Sequence, residues 1–144
     1  MPCHLTFGAK DINPDAVAAT LKIKPDHIFR AGDRDGRQKY SGLAFDTSEA
    51  DFEELDQQIA DTITFLRTNE EDLRYLGSLR STIEDSWYHV DFGFNTRMFD
   101  ENVGIQIDTF PAELLQLLGS ISADLMLSQY PPTFDAEAEN GSED

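Results

Sequence analysis

The chain has 144 residues, 40% of them hydrophobic and 10 of them Phe, which is enough for one core and too little for two ordinary domains. Its 28 acidic residues against 11 basic ones give a formal charge of −17, a field that repels nucleic acid and anionic membranes and excludes polyanion binding as a general mode. One cysteine excludes an intramolecular disulfide, and no apolar run approaches the ~20 residues of a membrane span.

In chain order, Cys3, Leu5 and Phe7 alternate with His4, Thr6 and Gly8, the period-two pattern of a strand with one buried face. Asn13 followed by Pro14 and Asp15 starts a short helix running to about Leu21, with Asn as the cap and Pro at the first turn. Pro25 prevents its continuation, and Asp26 to Arg37 reads as a short strand leading into an irregular loop containing Gly32 and Gly36. Tyr40 to Thr47 is the next predicted strand. Ser48 with Asp51 three residues on has the form of a helix-start signature, followed by a stripe of Phe52, Leu55, Ile59, Ile63 and Leu66. A break near Asn69 separates this helix from a second one carrying Leu73, Leu76 and Leu79, whose end Gly77 weakens.

Trp87 to Asn95 has the clearest alternation in the chain, with Tyr88, Val90, Phe92 and Phe94 on one face and Trp87, His89 and Asp91 on the other. Val103, Ile105 and Ile107 alternate with Gly104, Gln106 and Asp108, which predicts an antiparallel hairpin partner after a turn at 100–102. Pro111 opens a helix containing Leu114, Leu115, Leu117 and Leu118, and Ala123 to Tyr130 is the last strand. The expected fold is α+β, a mixed, largely antiparallel sheet with helices packed on it, in the order β-α-β-β-α(α)-β-β-α-β. The repeat of strand, Pro-led helix and strand near both ends suggests two similar halves. Residues 1–132 form the expected single domain. Residues 133–144, with five acids, no basic residue and one aromatic, are expected to be a disordered tail because they bury too little apolar surface.

The opening strand with FGAKDINPDAVAATLKIKPDHIFRAGD, then SGLAFDTSEADFEELDQQIADTI, then PAELLQLLGSISADLMLSQY resembles a bacterial family catalogued as a domain of unknown function, DUF4279, over roughly Leu5 to Tyr130. Pro14, Leu21, Ile23, Pro25 and Gly32 carry the pattern. The aromatic, usually Trp, that follows the Gly42 position in the family is here replaced by Ala44 or displaced to Phe45. The resemblance implies the fold and a bacterial setting, and brings no catalytic residue with it.

No catalytic signature stands out. His4, His27 and His89 lack zinc-ligand spacing, the acid-rich run 46–56 lacks the order of a calcium loop, and GDRDGRQKYSG lacks the ending of a phosphate loop. No catalytic residue, metal or cofactor is therefore assigned. His89 and Asp91 share a strand face beside Trp87 without a third catalytic partner. Charge, by contrast, is segregated. The stretch 22–39 carries a net +3, whereas 46–72 holds ten acids and only Arg67. The leading expectation is a non-catalytic binding or regulatory module, immunity-like, whose acidic surface, represented by Glu53 and Asp56, docks a basic protein. A second reading is a small-ligand receptor or enzyme using Arg30, Arg34, Arg37, Trp87, His89 and Asp91, since arginine forks recognise anions. A third is a structural homo-oligomer joined through strand edges. Neither nucleic acid nor membrane is expected as a partner. The first ten residues show neither a basic n-region nor an apolar h-region, so a cytoplasmic location is expected. In the bland version of the charge pattern, the basic loop lies against the protein's own acidic helix.

Overall fold

The computed structural model describes residues 2–131, and the predicted acidic tail lies outside the described residues. Five strands, β1 (Cys3–Ala9), β2 (His27–Phe29), β3 (Ser41–Ser48), β4 (Ser86–Asn95) and β5 (Asp124–Tyr130), form one sheet in the order β2-β3-β1-β4-β5. All pairings are antiparallel except β4 with β5, which is parallel. A parallel neighbour requires a crossover, and α4 (Ala112–Ser120) supplies it. The other helices are α1 (Pro14–Ala19), α2 (Leu55–Thr68) and α3 (Glu70–Thr82). This is the expected α+β fold with a mixed, largely antiparallel sheet.

All four helices cover the same face. Leu5, Phe7, Leu43, Phe45, Tyr88, Val90, Phe92 and Phe94 point into one core with Ile59 and Leu66 of α2, Leu73 and Leu76 of α3, and Leu114 and Leu118 of α4, while Val17 of α1 packs at its border. Alternation therefore sends Thr6, Trp87, His89 and Asp91 to the uncovered face. Buried polar groups are tied in. Tyr88 donates its hydroxyl to the Leu73 carbonyl at 2.8 Å, and its burial raises its pKa. Cys3 Sγ lies 3.0 and 3.3 Å from the hydroxyls of Thr47 and Thr62, and burial raises the thiol's pKa, which keeps it protonated and unreactive.

Several local expectations meet a correction. Asn13 caps α1 through an Ala16 amide bond of 3.2 Å, as the Asn-Pro start predicts. However, α2 begins at Leu55 rather than near Phe52, because Ser48 Oγ accepts from Ala50 N and donates to Asp61 instead of capping the helix. Phe52 and Glu53 consequently lie in a turn ahead of the helix. Gly77 does more than loosen a helix end. A side chain there would overlap the Ile121 carbonyl, so glycine allows α3 to approach the chain leaving α4. The predicted strand at 103–108 is an unpaired, irregular segment, because β5 occupies the place beside β4. The two ends of the chain thus share a strand–helix–strand unit, but the first contributes three strands and the second two.

Candidate functional site

The uncovered face has an aromatic end. Phe29, Gly42, Gly8 and Trp87 form one row across β2, β3, β1 and β4. The Trp87 ring lies on Gly8 and the tip of the Phe29 ring on Gly42, where any side chain at either glycine would overlap the rings. The two rings are nearly parallel, 6.3 Å apart at 16°, and Tyr40 stands edge-on to Trp87 at 5.1 Å. Phe29 and Tyr40 are the stems of the basic loop, so the fold brings that loop to Trp87. The sequence placed Phe29 and Tyr40 in two predicted strands on either side of the loop, but nothing local ties either to Trp87.

His89 sits one row further along, opposite Thr6, and Asp91 another row on, opposite His4. Both are half-buried. Desolvation by the surrounding protein lowers the His89 pKa, outweighing the nearby carboxylates of Asp91 and Asp124. Asp91 is held elsewhere, since Ser128 donates its hydroxyl toward both carboxylate oxygens at 2.8 and 2.9 Å. Among the described residues, no three His, Cys, Asp or Glu side chains converge as a metal ligand set would.

The basic loop is tied to α1 and to itself, not to α2. Arg30 forks onto Asp15 at 2.6 and 3.0 Å, and these bonds hold the Asp15 carboxyl below its ordinary pKa. Arg37 donates to the Arg34 carbonyl, and Arg34 itself takes a left-handed φ of 57°. Among the described residues no cation of 30–39 pairs with a carboxylate of 46–72, so the predicted neutralisation of the acidic helix by this loop is not what the fold does. Of the cations in 22–39 only Lys22 reaches that stretch, through Glu71.

A second surface lies where α2 begins. None of the carboxylates from Asp46 to Asp61 takes part in an ion pair among the described residues, and Glu53 and Asp56 are both exposed. Beside them runs the connection 96–110. Gln106 Oε1 accepts from Arg97 N at 2.6 Å and Thr96 Oγ1 at 3.1 Å, and Gln106 Nε2 donates to Asp108, which also pairs with Arg97 at 3.3 Å. The polar members of the alternating run therefore face the protein and hold the segment. Val103 is half-buried, but Ile105 and Ile107 face outward, as do Met98 and Phe99 nearby. Met98 is 51% exposed, Phe99 70%, Ile105 72% and Ile107 73%. The alternation predicted a hairpin strand here, and the segment instead leaves Ile105 and Ile107 in solvent.

Between this connection and the turn before α2 is a cavity of about 520 Å³, lined by Phe52, Leu55, Phe94, Phe99 and Val103 with Asn95, Thr96 and Arg97. A second, more polar depression of about 580 Å³ beside it is lined by Glu53, Glu54, Asp56, Ile107 and Asp108. Among the described residues β2 and β5 are the edge strands of the sheet. Among the described residues, no helix is long and apolar enough to cross a membrane.

No curated protein and no solved structure matches the chain. The family model described as domain of unknown function (DUF4279) matches residues 1–132, nearly the whole sequence, and the chain belongs to that family.

Proposed function

We propose that the protein is a non-catalytic binding module that docks a basic protein through the surface formed by 96–109 and the start of α2. The observation that carries this reading is the inverted alternation of the connection: Gln106 and Asp108 are anchored inward, while Ile105 and Ile107 are displayed to solvent next to unpaired carboxylates. Contiguous exposed apolar groups rimmed by charge are the ordinary composition of a protein interface, and an acidic rim selects a basic partner and speeds its approach. The test is capture from the source lysate at low and high salt, followed by association rates with the purified partner. Wild type is expected to retain a basic protein at low salt. Glu53→Lys with Asp56→Lys is expected to slow its association, while Arg34→Glu with Arg37→Glu leaves it unchanged. Loss of binding in the arginine variant alone places the working surface on the basic loop.

A second reading is supported by the Trp87 end of the sheet. Two rings over paired glycines, with Tyr40 upright beside them, would form a stacking surface for a small ligand at the stem of the loop that carries Arg34 and Arg37. Trp87 is the only tryptophan, so a ligand that stacks there is expected to change the intrinsic fluorescence directly. An unchanged spectrum across a metabolite panel counts against this reading.

A further inference from the structure

The two edge strands of the sheet are built differently. β2 is three residues long and runs into the loop of Arg30, Arg34 and Arg37, and a short edge beside charge resists pairing with another chain. β5 is seven residues long, follows β4 without a register shift and contains no Lys, Arg or Pro, so it lacks those safeguards. One bond shows which of its backbone groups face outward. The Tyr130 carbonyl accepts from Thr96 N at 2.7 Å, on the β4 side. Backbone direction alternates along a strand, so the N–H and C=O groups of Leu125, Leu127 and Gln129 point away from β4, where no strand lies among the described residues.

The side chains at this edge are apolar. Leu127 sits opposite Phe92 and faces the helix layer, Met126 sits opposite Asp91 and faces the uncovered side, and both are exposed. Leu115 adds to the helix side. Glu113 pairs with Arg67 of α2 and Leu114 is buried, so the exposed Leu115, about 100° further round α4, turns away from α2 toward the edge at β5. The charges here are already matched: Asp124, the one charged residue of β5, pairs with Arg80, and Glu113, the one charged residue of α4, with Arg67.

We propose that β5 pairs antiparallel with β5 of a second copy of this chain, joining two five-stranded sheets into one. Two-fold symmetry fixes the register. With Leu127 opposite its own copy and Leu125 opposite Gln129, all three outward-facing residues exchange backbone hydrogen bonds, and Met126 meets Ser128 on the uncovered side. Charge selects this occupant. At −17, a second copy is repelled by most of the surface, whereas β5 and α4 present apolar groups and no unpaired charge. A basic protein finds no free carboxylate on either element, so this edge is independent of the docking surface at 96–109.

The experiment is sedimentation of the intact chain from about 1 to 300 μM, with amide exchange read by NMR at about 20 and 300 μM. A reversible dimer is expected. Raising salt from about 20 to 500 mM is expected to strengthen it at least about threefold by screening two acidic bodies, whereas docking of a basic partner weakens under the same change. The amides of Leu125, Leu127 and Gln129 are expected to gain protection with concentration, and those of Met126 and Ser128, which face β4, to be protected throughout. Leu127→Glu sets two carboxylates face to face and is expected to weaken the dimer at least about tenfold. Gln129→Pro removes an outward donor without removing an apolar side chain, and serves if Leu127→Glu does not fold. Ile105→Ser with Ile107→Ser is expected to leave the dimer unchanged. A monomer at every concentration, a dimer weakened by salt, or a dimer that leaves those three amides unprotected overturns the proposal. So does protection of the same amides already in the monomer, which places the chain's own residues on the edge. Each of these outcomes leaves the docking reading to its own test, the association rate of Glu53→Lys with Asp56→Lys.

Discussion

Strand β4 and the segment 103–108 carry the same pattern of alternating apolar residues and meet opposite fates. In β4, Tyr88, Val90, Phe92 and Phe94 are buried under helices. In 103–108, Ile105 and Ile107 are among the most exposed apolar side chains of the described residues. Alternation creates a two-faced ribbon, but burial needs a neighbour for the backbone and a layer for the apolar face. β4 has β1 on one side and β5 on the other. With β5 brought back through α4 into the parallel position, the segment 103–108 finds the place beside β4 taken. Gln106 and Asp108 bond inward instead, and Ile105 and Ile107 are left exposed to solvent.

The largest expected effect breaks the buried half of this comparison. Phe92 is fully buried and packs edge-on against Phe110 at 5.6 Å. Phe92→Ala is expected to cost about 3–5 kcal/mol through lost transfer energy and an unfilled cavity. Urea unfolding measures it, and a neutral result places Phe92 outside the core.

Much of the covered sheet was legible because its signals are local and mutually consistent. Cys3, Leu5 and Phe7 match their buried faces, Asn13 and Pro14 mark the start of α1, and Asn69 marks the break between α2 and α3. What failed depended on distant partners. The Ser48–Asp51 signature looked like a helix start, but Ser48 is engaged by Asp61 thirteen residues away. Gln58 and Thr62, polar in sequence, are fully buried because Gln58 Nε2 donates to Asp51 O and Gly93 O and Thr62 bonds Thr47. The aromatic end was half visible. Trp87 was identified from its strand face, whereas Phe29 and Tyr40 reach it only through the β2–β3 pairing, and the two glycines beneath the rings become informative only once the register is known.

A smaller effect is expected where a different irregular connection is held by one side chain. Asp72 of α3 is buried and accepts from Lys22 N and Ile23 N, both at 2.8 Å, and so fixes the chain between α1 and β2. Asp72→Ala leaves two amides without that acceptor and is expected to cost about 1–3 kcal/mol. If the loss is below about 0.5 kcal/mol, water replaces the carboxylate without penalty and the connection is held by its apolar contacts.

The uncovered face contributes a pH dependence. Burial lowers the His89 pKa below its ordinary 6.5, opposed by Asp91 and Asp124 and assisted by His4 and Arg80. Between the folded-state pKa and that ordinary value the unfolded chain binds more protons. The contribution of His89 is therefore fully present above about pH 6.5 and is lost as pH falls through that window. His89→Gln is expected to remove this part of the acid slope, so the stability difference between wild type and variant shifts against wild type as pH is lowered from 7. An identical acid slope in both proteins shows that the imidazole titrates alike in the folded and unfolded chains.

The smallest expected change in stability tests the exposed half of the comparison most sharply. If 103–108 is held by Gln106, Asp108 and Arg97 rather than by its apolar residues, then Ile105→Ser with Ile107→Ser removes side chains that support nothing in the isolated protein. Thermal and urea unfolding are expected to move by no more than about 0.5 kcal/mol, the range of ordinary surface substitutions. The same variant is expected to lose retention of the basic partner, because apolar contact area goes while the carboxylates that steer approach remain. Association should then still respond to salt, but dissociation should be faster, the kinetic mark of lost contact rather than lost steering. A destabilisation as large as that of Phe92→Ala shows that the two isoleucines belong to the fold. The inverted alternation is then an internal packing device, and the interface must be sought on the other side of the sheet, at Trp87.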